Sequence, residues 1–361
     1  MSDEIFREGG PHNIRRTGPN KFTMSVTLPK DADERTARAC PSGECSPAYF
    51  KVKNGTGITG GQTVAFCPYC RAEAKPDDFT TKSQRKYVEE LLMHEAHDGM
   101  GRMIKKALGI GPSGKRKFGG GLFTMEMSLK QGSKPIVHRP FEEALQRAVI
   151  CPHCTLDHAV FGLAVWCSDC GRDIFITHVQ AEFEVVKAML GDVSRREKEL
   201  GLRVATRDIE NSLEDVVSIY ETVLRALFVR HLRQRGIPKR EVESIIHKRI
   251  GNGFQSVRRS NEIIFRELAI PLFESVPEQE IAALTKTFEK RHPITHNLGV
   301  VDRKYLERIH HAEREGREVF VSPTEILRAI ETVMLVVTSL HARLFPQQLS
   351  APEVPPPGEG S

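Results

Sequence analysis

The feature that most constrains this chain is the arrangement of its eight cysteines in four close pairs. The pairs are Cys40 with Cys45, Cys67 with Cys70, Cys151 with Cys154, and Cys167 with Cys170. In an intracellular chain, cysteines separated by two to four residues are typical of metal ligands rather than of a disulfide framework. Four thiolates close the tetrahedral shell of a structural zinc ion. The spacing therefore predicts two structural Zn2+ ions, and iron is the alternative that the same cysteine count supports.

Each group of four cysteines lies in a segment that we expect to fold as a small β zinc ribbon. The first ribbon is predicted at residues 36–80 and the second at residues 146–180. In both, apolar residues lead directly into a cysteine pair, as at residues 63–66 and 148–150. In the second ribbon, where glycine also follows the last cysteine, this pattern indicates strands that turn tightly and point backbone amides at the sulfurs. Three polar residues near the second ribbon are alternative ligands, although four cysteines suffice: His153, Asp157 and His158.

Zinc ribbons are too small to bury a core without their metal, so their usual role is to bind nucleic acid or protein. Aromatic and basic residues near the cysteines could stack on bases and contact phosphates: Tyr49, Phe50, Lys51, Tyr69, Arg71, Trp166 and Arg172. The same aromatic rings could instead cover the sulfurs. The sequence leaves both roles open, and with them the choice between an RNA and a protein partner for the ribbons.

The rest of the N-terminal half is predicted to be an irregular arm at residues 1–35 and a connector at residues 81–145. The arm leads to a short strand at residues 22–28, because glycine and proline interrupt it before that point. The connector begins with a helix at residues 83–108, where apolar residues recur at helical spacing. His94 and His97 lie on one face of this helix and are interpreted as packed or exposed residues rather than metal ligands.

A basic, glycine-rich loop follows that helix and precedes a small β layer. Gly109, Gly114 and Lys115 have the spacing of a phosphate-binding P-loop. Arg116 stands where such a loop needs Ser or Thr for magnesium, and a helix rather than a strand precedes it. A basic loop that contacts phosphate, or a plain solvated loop, is therefore the better interpretation.

Composition adds broad limits. The chain has 361 residues, 39% of them hydrophobic and 27% charged, which is ordinary for a soluble globular protein of two or three domains. The net charge of +5 permits an anionic partner without requiring one. No apolar run approaches the ~20 residues of a membrane-spanning helix, and the N-terminus lacks the apolar core of a signal peptide. We therefore expect a cytoplasmic protein without a membrane partner.

The C-terminal half is predicted to be helical. A solvated, charged linker helix is expected at residues 181–203, and an apolar stripe over five turns at residues 209–228 begins a bundle at residues 204–346. Ser322 and Glu325 form a capping box before a last helix that is apolar on all sides, and is therefore buried in the bundle or against a second copy. Residues 347–361 have the composition of a disordered tail. The predicted fold class is α+β and multidomain, with two small β zinc ribbons followed by an all-α bundle.

A short stretch within this bundle carries groups suited to catalysis. Arg291 and His296 lie where one helical pattern stops and another begins. Because Pro293 disfavours a helical conformation at the residue before it, a break is expected at His292. Pro293 then suits the first position of a new turn, which is expected to place His296 near the N-terminal end of that turn. A histidine can transfer the protons of RNA cleavage, and an arginine can hold charge on the phosphoryl oxygens. Glu221 lies at the edge of the apolar stripe and could pair with Arg291 or His296, or extend into solvent.

The stretch at residues 291–299 resembles the arginine–polar–three residues–histidine motif of the HEPN superfamily, all-helical domains many of which are metal-independent ribonucleases. Gly299 and Asp302, which follow the histidine, resemble the pattern of some HEPN subfamilies. The resemblance covers roughly residues 204–345 and rests on this motif and its helical context. It implies that Arg291 and His296 are the catalytic pair. The second motif residue of the family is often asparagine and is His292 here.

The resemblance also implies how the protein acts. Many HEPN domains are active as dimers with facing motifs, so we expect a homodimer through the bundle. The predicted function is metal-independent endoribonuclease cleavage of RNA through attack by the 2′-hydroxyl. The ribbons are expected to bind the substrate or a partner. The resemblance also implies a role in prokaryotic defence. The alternative is a non-catalytic adaptor that binds nucleic acid or protein with an inactive bundle. A third alternative is a structural component of a larger complex.

Overall fold

The computed structural model describes residues 5–19, 21–58, 62–111, 114–120, 123–130, 132–309 and 314–346. The predicted tail at 347–361 lies outside these ranges. The chain divides into two compact units. The first contains Met1–Gly162 and Cys167–Gly171, and the second contains Leu163–Trp166 and Arg172–Ser361. Small β-sheets with cysteine clusters come first and a mostly helical region follows, so the predicted α+β class is confirmed.

The first unit consists of short strands and one long helix. Its strands are β1 (Arg15–Gly18), β2 (Lys21–Thr23), β3 (Arg35–Ala39), β4 (Tyr49–Lys53), β5 (Ala65–Phe66), β6 (Glu73–Ala74), β7 (Lys115–Phe118), β8 (Met125–Ser128), β9 (Arg147–Ile150) and β10 (Asp157–Val160). Its helix, α1, spans Lys82–Ala107, close to the predicted residues 83–108. A capping box between Thr81 and Gln84 begins this helix, because each residue's side chain bonds the other's backbone N–H.

A four-stranded antiparallel sheet in the order β3–β4–β10–β9 joins the two cysteine-bearing segments. β4 follows the first cysteine pair and β10 follows the third, and the two strands align Phe50 with Val160 and Val52 with His158. The sequence predicted two separate ribbons, so this pairing is a finding of the structure. It was not predictable from either segment alone, because each reads as a self-contained hairpin and pairing partners far apart in sequence leave no local pattern.

The segment that resembles a P-loop forms part of a β-hairpin. Lys115 begins β7, which pairs with β8, and the Lys115 ammonium lies 2.7 Å from the Glu126 carboxylate. Arg116 donates a hydrogen bond to the Leu108 carbonyl at 2.6 Å. A strand therefore follows the glycines where a phosphate-binding P-loop requires a helix. Residues 112–113 and 121–122 of the predicted loop lie outside the described ranges.

The second unit is helical. Its helices are α2 (Phe175–Leu200), α3 (Leu202–Gln234), α4 (Lys239–Ile245), a π-helical turn (Ile246–Ile250), a 3-10 helix (Gly253–Gln255), α5 (Val257–Leu268), α6 (Glu278–Glu289), α7 (Arg291–His296), α8 (Arg303–Ile309) and α9 (Pro323–Leu344). α3 packs against α2 and α9, and its buried residues include Leu213, Tyr220, Leu224 and Phe228. These residues belong to one contiguous apolar core.

Two helices of this unit differ from their predicted surroundings. The solvated linker expected at residues 181–203 lies in α2, which buries Val179, Phe183 and Val186 in the core and exposes Arg195. The charged residues therefore occupy one face of a packed helix rather than surround a free one. α9 buries Val333 and Val337, but Leu335 is 45% exposed, so the apolar run is not buried on all sides. Among the described residues, no helix has both the length and the apolarity needed to cross a membrane.

Candidate functional site

Two four-cysteine clusters form the candidate metal centres. One contains Cys40, Cys45, Cys67 and Cys70, the other contains Cys151, Cys154, Cys167 and Cys170, and within each the Sγ atoms lie within 4.8 Å of one another. The measured Sγ–Sγ distances include 3.6 and 3.7 Å in the first cluster and 3.4 and 3.7 Å in the second. Zn–S bonds of ~2.3 Å give a tetrahedral edge of about 3.8 Å. All eight cysteines are free thiols, so each cluster fits one metal ion of the kind that four thiolates bind.

The backbone around the sulfurs has the geometry that such a centre requires. The N–H groups of Ser42, His153 and Asp169 point at the sulfurs of Cys40, Cys151 and Cys167, each at 3.4 Å. Backbone N–H groups directed at a thiolate stabilise its negative charge and its bond to a metal. The predicted orientation of the amides is therefore confirmed in the second cluster, and the first cluster has one such contact as well.

Three of the four cysteine pairs end in the same left-handed turn. The residue after each pair, Arg71, Thr155 or Gly171, has a φ of about +63° or +64°, and its N–H bonds the carbonyl of the pair's first cysteine. At Gly171, a Cβ atom would lie 2.8 Å from the ring of Phe66. Because Arg71 and Thr155 adopt the same conformation with a side chain, the close approach of the Phe66 ring is what favours glycine at position 171.

Asp169 lies inside the fourth cysteine pair and fixes the loop that follows β4. Its carboxylate accepts hydrogen bonds from the Ile58 N–H and the Gln62 side-chain amide, both at 3.1 Å. Burial raises the pKa of Asp169 despite these bonds. A residue within the second cluster's last cysteine pair therefore holds Ile58 and Gln62, which precede the first cluster's ligand Cys67.

Two of the residues considered as alternative metal ligands contact other side chains, and two of those considered for base stacking are buried. Asp157 bonds Arg35 at 3.0 Å, and His158 is buried with its Nδ1 3.4 Å from Ser168 Oγ. Phe50 is fully buried and Trp166 is 7% exposed. Phe50 and Trp166 therefore lack the free ring face that stacking on a base needs, which leaves them the packing role.

The predicted catalytic stretch forms α7 and lies directly after α6. Lys290 separates the two helices and itself has helical angles, φ −59° and ψ −26°. The break expected at His292 is therefore wrong, because His292 lies within α7. Pro293 lies in the first turn of α7, where its missing N–H would have no helical partner and its fixed φ is tolerated. His296 consequently ends the helix instead of beginning it.

Buried contacts hold both ends of α7. The Lys290 ammonium, 5% exposed as a residue, donates to the Phe320 carbonyl at 2.8 Å and to the Glu325 carboxylate at 2.7 Å. After the helix, the Gly299 N–H bonds the Pro293 carbonyl at 2.8 Å, and Gly299 has a φ of +85°. The helix is thereby fixed between α9 and the turn that leads to α8.

Arg291 is part of a series of side-chain hydrogen bonds that also includes Glu221. Arg291 Nη1 donates to Gln255 Oε1 at 3.1 Å, and Gln255 Nε2 donates to Glu221 Oε2 at 2.8 Å. Arg225 bonds the other oxygen of Glu221 at 2.6 Å. Glu221 and Arg291, both predicted from sequence, are thus bridged rather than paired. Gln255 was missed because it lies in a one-turn 3-10 helix without a recognisable motif.

His292 and His296 form the other half of the site. Their ring centroids lie 5.1 Å apart, because residues four apart share a helix face. His296 is exposed and His292 half-buried, with its Nε2 3.8 Å from Asp302 Oδ2. Burial, followed by the charge of Arg308, lowers the pKa of His292, so the neutral imidazole that can accept a proton is favoured. Within one chain, α7 brings the two histidines together and directs Arg291 towards Gln255.

Compared with known proteins, the chain matches no family model, no curated protein and no solved structure. Its function must therefore be argued from the geometry of these sites.

Proposed function

We propose that this protein is a metal-independent endoribonuclease of the HEPN type in which Arg291 and His296 carry the cleavage. The observation that supports it best is the pair of imidazoles, 5.1 Å apart at their centroids, on a helix that also contains Arg291. Cleavage through a 2′-hydroxyl needs one group that accepts a proton and one that donates it. His296 is exposed to a substrate, and His292, whose pKa is lowered, is suited to accept a proton.

The chemistry follows from these roles. A neutral imidazole takes the proton of the 2′-hydroxyl, whose oxygen attacks the adjacent phosphorus. An imidazolium donates a proton to the leaving 5′-oxygen, and the product is a 2′,3′-cyclic phosphate. Arg291 retains guanidinium N–H groups beyond the one on Nη1 that is bonded to Gln255. These groups can stabilise charge on the phosphoryl oxygens in a way that a lysine cannot.

The two cysteine clusters have a structural part in this proposal. Four thiolates saturate a tetrahedral ion, so neither cluster offers the open coordination position that catalytic zinc uses. We propose zinc as their metal. DNA, which lacks a 2′-hydroxyl, should not be cut.

The second proton-transfer group has two possible sources, His292 of the same chain or His296 of a second copy in a homodimer through the bundle. Mixed dimers that pair wild-type and His296→Ala chains distinguish them. If each chain is self-sufficient, mixed dimers should have about half the wild-type rate. If the site is shared, they should be nearly inactive. A monomer in sedimentation at micromolar concentration with full activity would eliminate the shared site.

The deciding experiment measures cleavage of mixed RNA in EDTA by wild-type protein and by His296→Ala. We expect a loss of roughly 10²-fold or more, the usual contribution of a general acid or base. Arg291→Lys should fail similarly, while His138→Ala, which removes an exposed histidine of the first unit, should leave the rate unchanged. Wild-type rates for both His296→Ala and Arg291→Ala, or an intact protein that cuts no RNA, would replace this proposal with the non-catalytic adaptor.

A further inference from the structure

Residues 239–266 concentrate positive charge on the exposed side of α4, the π-helical turn and α5. They contain seven Lys and Arg residues against three Glu residues, whereas the whole 361-residue chain has a net charge of only +5. The basic surface is defined here by six exposed residues: Arg240, Lys248, Arg249, Arg258, Arg259 and Arg266. A local excess of this size attracts a polyanion.

Much of this charge is not neutralised by neighbouring carboxylates. Arg240, Lys248 and Arg259 have no ion pair among the residues that the structure describes. Arg258 pairs with Glu262 at 3.1 Å through its Nε, which leaves its terminal N–H groups for other acceptors. Arg249 and Arg266 share a single carboxylate, that of Glu267, at 3.5 and 2.9 Å. These three side chains line a cleft of about 460 Å3. Each guanidinium uses one N–H for Glu267, so further N–H groups of both arginines remain available for phosphate oxygens.

The basic surface is anchored next to the candidate catalytic residues. Gly251, which ends the π-helical turn, accepts a hydrogen bond from Arg225 at 3.1 Å. Gln255, in the 3-10 helix that leads into α5, contacts both Glu221 and Arg291. π-helical turns within helices frequently occur at functional sites. The segment that carries the basic surface is therefore hydrogen-bonded to Arg291 through Gln255.

An exposed aromatic ring within the surface identifies the kind of polyanion. Phe265 lies between Glu262 and Arg266 on α5 and is 60% exposed. Arg258 lies seven residues earlier and so on the same helix face. Rings beside cations bind single-stranded nucleic acid, because an unpaired base stacks on the ring while arginines hold the backbone. An acidic protein would use the same charges, so competition by polyglutamate is part of the test below.

We propose that the basic surface binds single-stranded RNA, with phosphates on Arg249 and Arg266 and a base on Phe265. The choice of RNA rests on the proposed ribonuclease function, and the inference adds the strandedness of the substrate and the surface that delivers it to α7.

Binding is tested with a fluorescently labelled single-stranded RNA of about twelve nucleotides in the uncleaving His296→Ala background. Arg249→Gln with Arg266→Gln should weaken binding about tenfold or more. The same change should reduce the slope of log affinity against log salt by roughly 0.7 for each phosphate that the variant no longer neutralises. Phe265→Ala should weaken single-stranded binding about fivefold or more and leave duplex RNA binding unchanged. The matched control, Arg195→Gln with Lys198→Gln on exposed α2 positions, should bind normally.

The outcomes separate this inference from the proposed function. If the basic-surface variants bind single-stranded RNA as the control does, or if polyglutamate competes as well as RNA, the inference is overturned even where His296-dependent cleavage is observed. If the variants bind RNA weakly while the wild-type protein cuts no RNA, RNA binding by the basic surface is supported and the ribonuclease proposal is contradicted. Unchanged circular dichroism and unfolding midpoints exclude misfolding as the cause of weaker binding.

Discussion

The two compact units of this protein are stabilised by different means. In the second unit, side chains from helices α2 to α7 and α9 form one contiguous apolar core. In the first, sheets of two to four short strands surround two clusters of four sulfurs. Burial of apolar surface is distributed over many residues and tolerates the loss of one, whereas a tetrahedral metal shell depends on each of its four ligands. The units should therefore respond very differently to single substitutions.

The largest expected effect is the loss of one cysteine ligand. Cys167→Ser removes a fully buried thiolate from the second cluster. Structural zinc contributes on the order of 10 kcal/mol to folding in small domains, so this variant should lose one of two zinc ions and the order of the surrounding strands. Metal analysis should fall from two zinc ions per chain to one, and hydrogen exchange should increase in β9 and β10.

Two control variants sharpen this contrast. His153→Ala changes an exposed residue beside a ligand and should retain both zinc ions. Leu224→Ala creates a cavity in the helical core and should cost about 2–5 kcal/mol with both zinc ions retained. Equal zinc loss in His153→Ala, or fewer than two ions in the wild-type protein, would contradict the proposed ligand sets, and iron in place of zinc would contradict the proposed metal.

The same contrast explains what could be predicted from the sequence. The cysteine clusters depend on a spacing that is visible in short segments. The helices α1 and α9 depend on apolar periodicity and on capping residues, which are also local. The clusters and these helices were therefore predicted closely. The pairing of β4 with β10 joins residues more than one hundred positions apart. No local pattern marks such a pairing, because each strand fits equally well in a separate hairpin.

The candidate catalytic site was predictable in part for a related reason. Arg291 and His296 were selected because they form a compact sequence motif. Gln255, which connects Arg291 to Glu221, comes from a different part of the chain and has no distinctive neighbours. The position of the helix break was misjudged because Pro293 is as compatible with the first turn of a helix as with its interruption. Buried Lys290, which fixes that break, has no sequence signature either.

A smaller effect is expected where a charge pair supports the helical unit. Glu325→Gln removes the carboxylate that faces the buried Lys290 ammonium, while the bond from Lys290 to the Phe320 carbonyl stays in place. Breaking a fully buried pair costs about 3–5 kcal/mol. Because the Glu325 side chain is 35% exposed, solvent screens part of the interaction and we expect about 1–3 kcal/mol. Urea unfolding of the second unit at neutral pH measures this difference.

The difference in unfolding free energy between the wild type and Glu325→Gln should depend on pH in a defined direction. Burial alone would raise the pKa of Glu325, but hydrogen bonds from Lys290 and Ser322 outweigh it and hold that pKa below its ordinary 4.5. A lowered carboxyl pKa contributes stability above its unfolded value, and this stability is lost as the pH falls through the folded value. The difference in unfolding free energy between wild type and Glu325→Gln should therefore have its largest value above about pH 5 and decrease below pH 4.5. A gap that stays constant down to pH 3 would contradict the pairing.

The smallest expected effects come from two residues with left-handed backbones, one in each unit. Thr155 has a φ of +63° after its cysteine pair, and Ala269 has a φ of +57° where α5 ends. A side chain disfavours this conformation, so glycine should relieve about 1 kcal/mol of strain at each position, offset in part by greater freedom of the unfolded chain. Thr155→Gly should raise zinc affinity, measured by competition with a chromophoric chelator, and leave unfolding of the helical unit unchanged. Ala269→Gly should raise the unfolding midpoint of the helical unit and leave zinc affinity unchanged. If both variants shift the same observable, the two units do not have the separate sources of stability that their structures indicate.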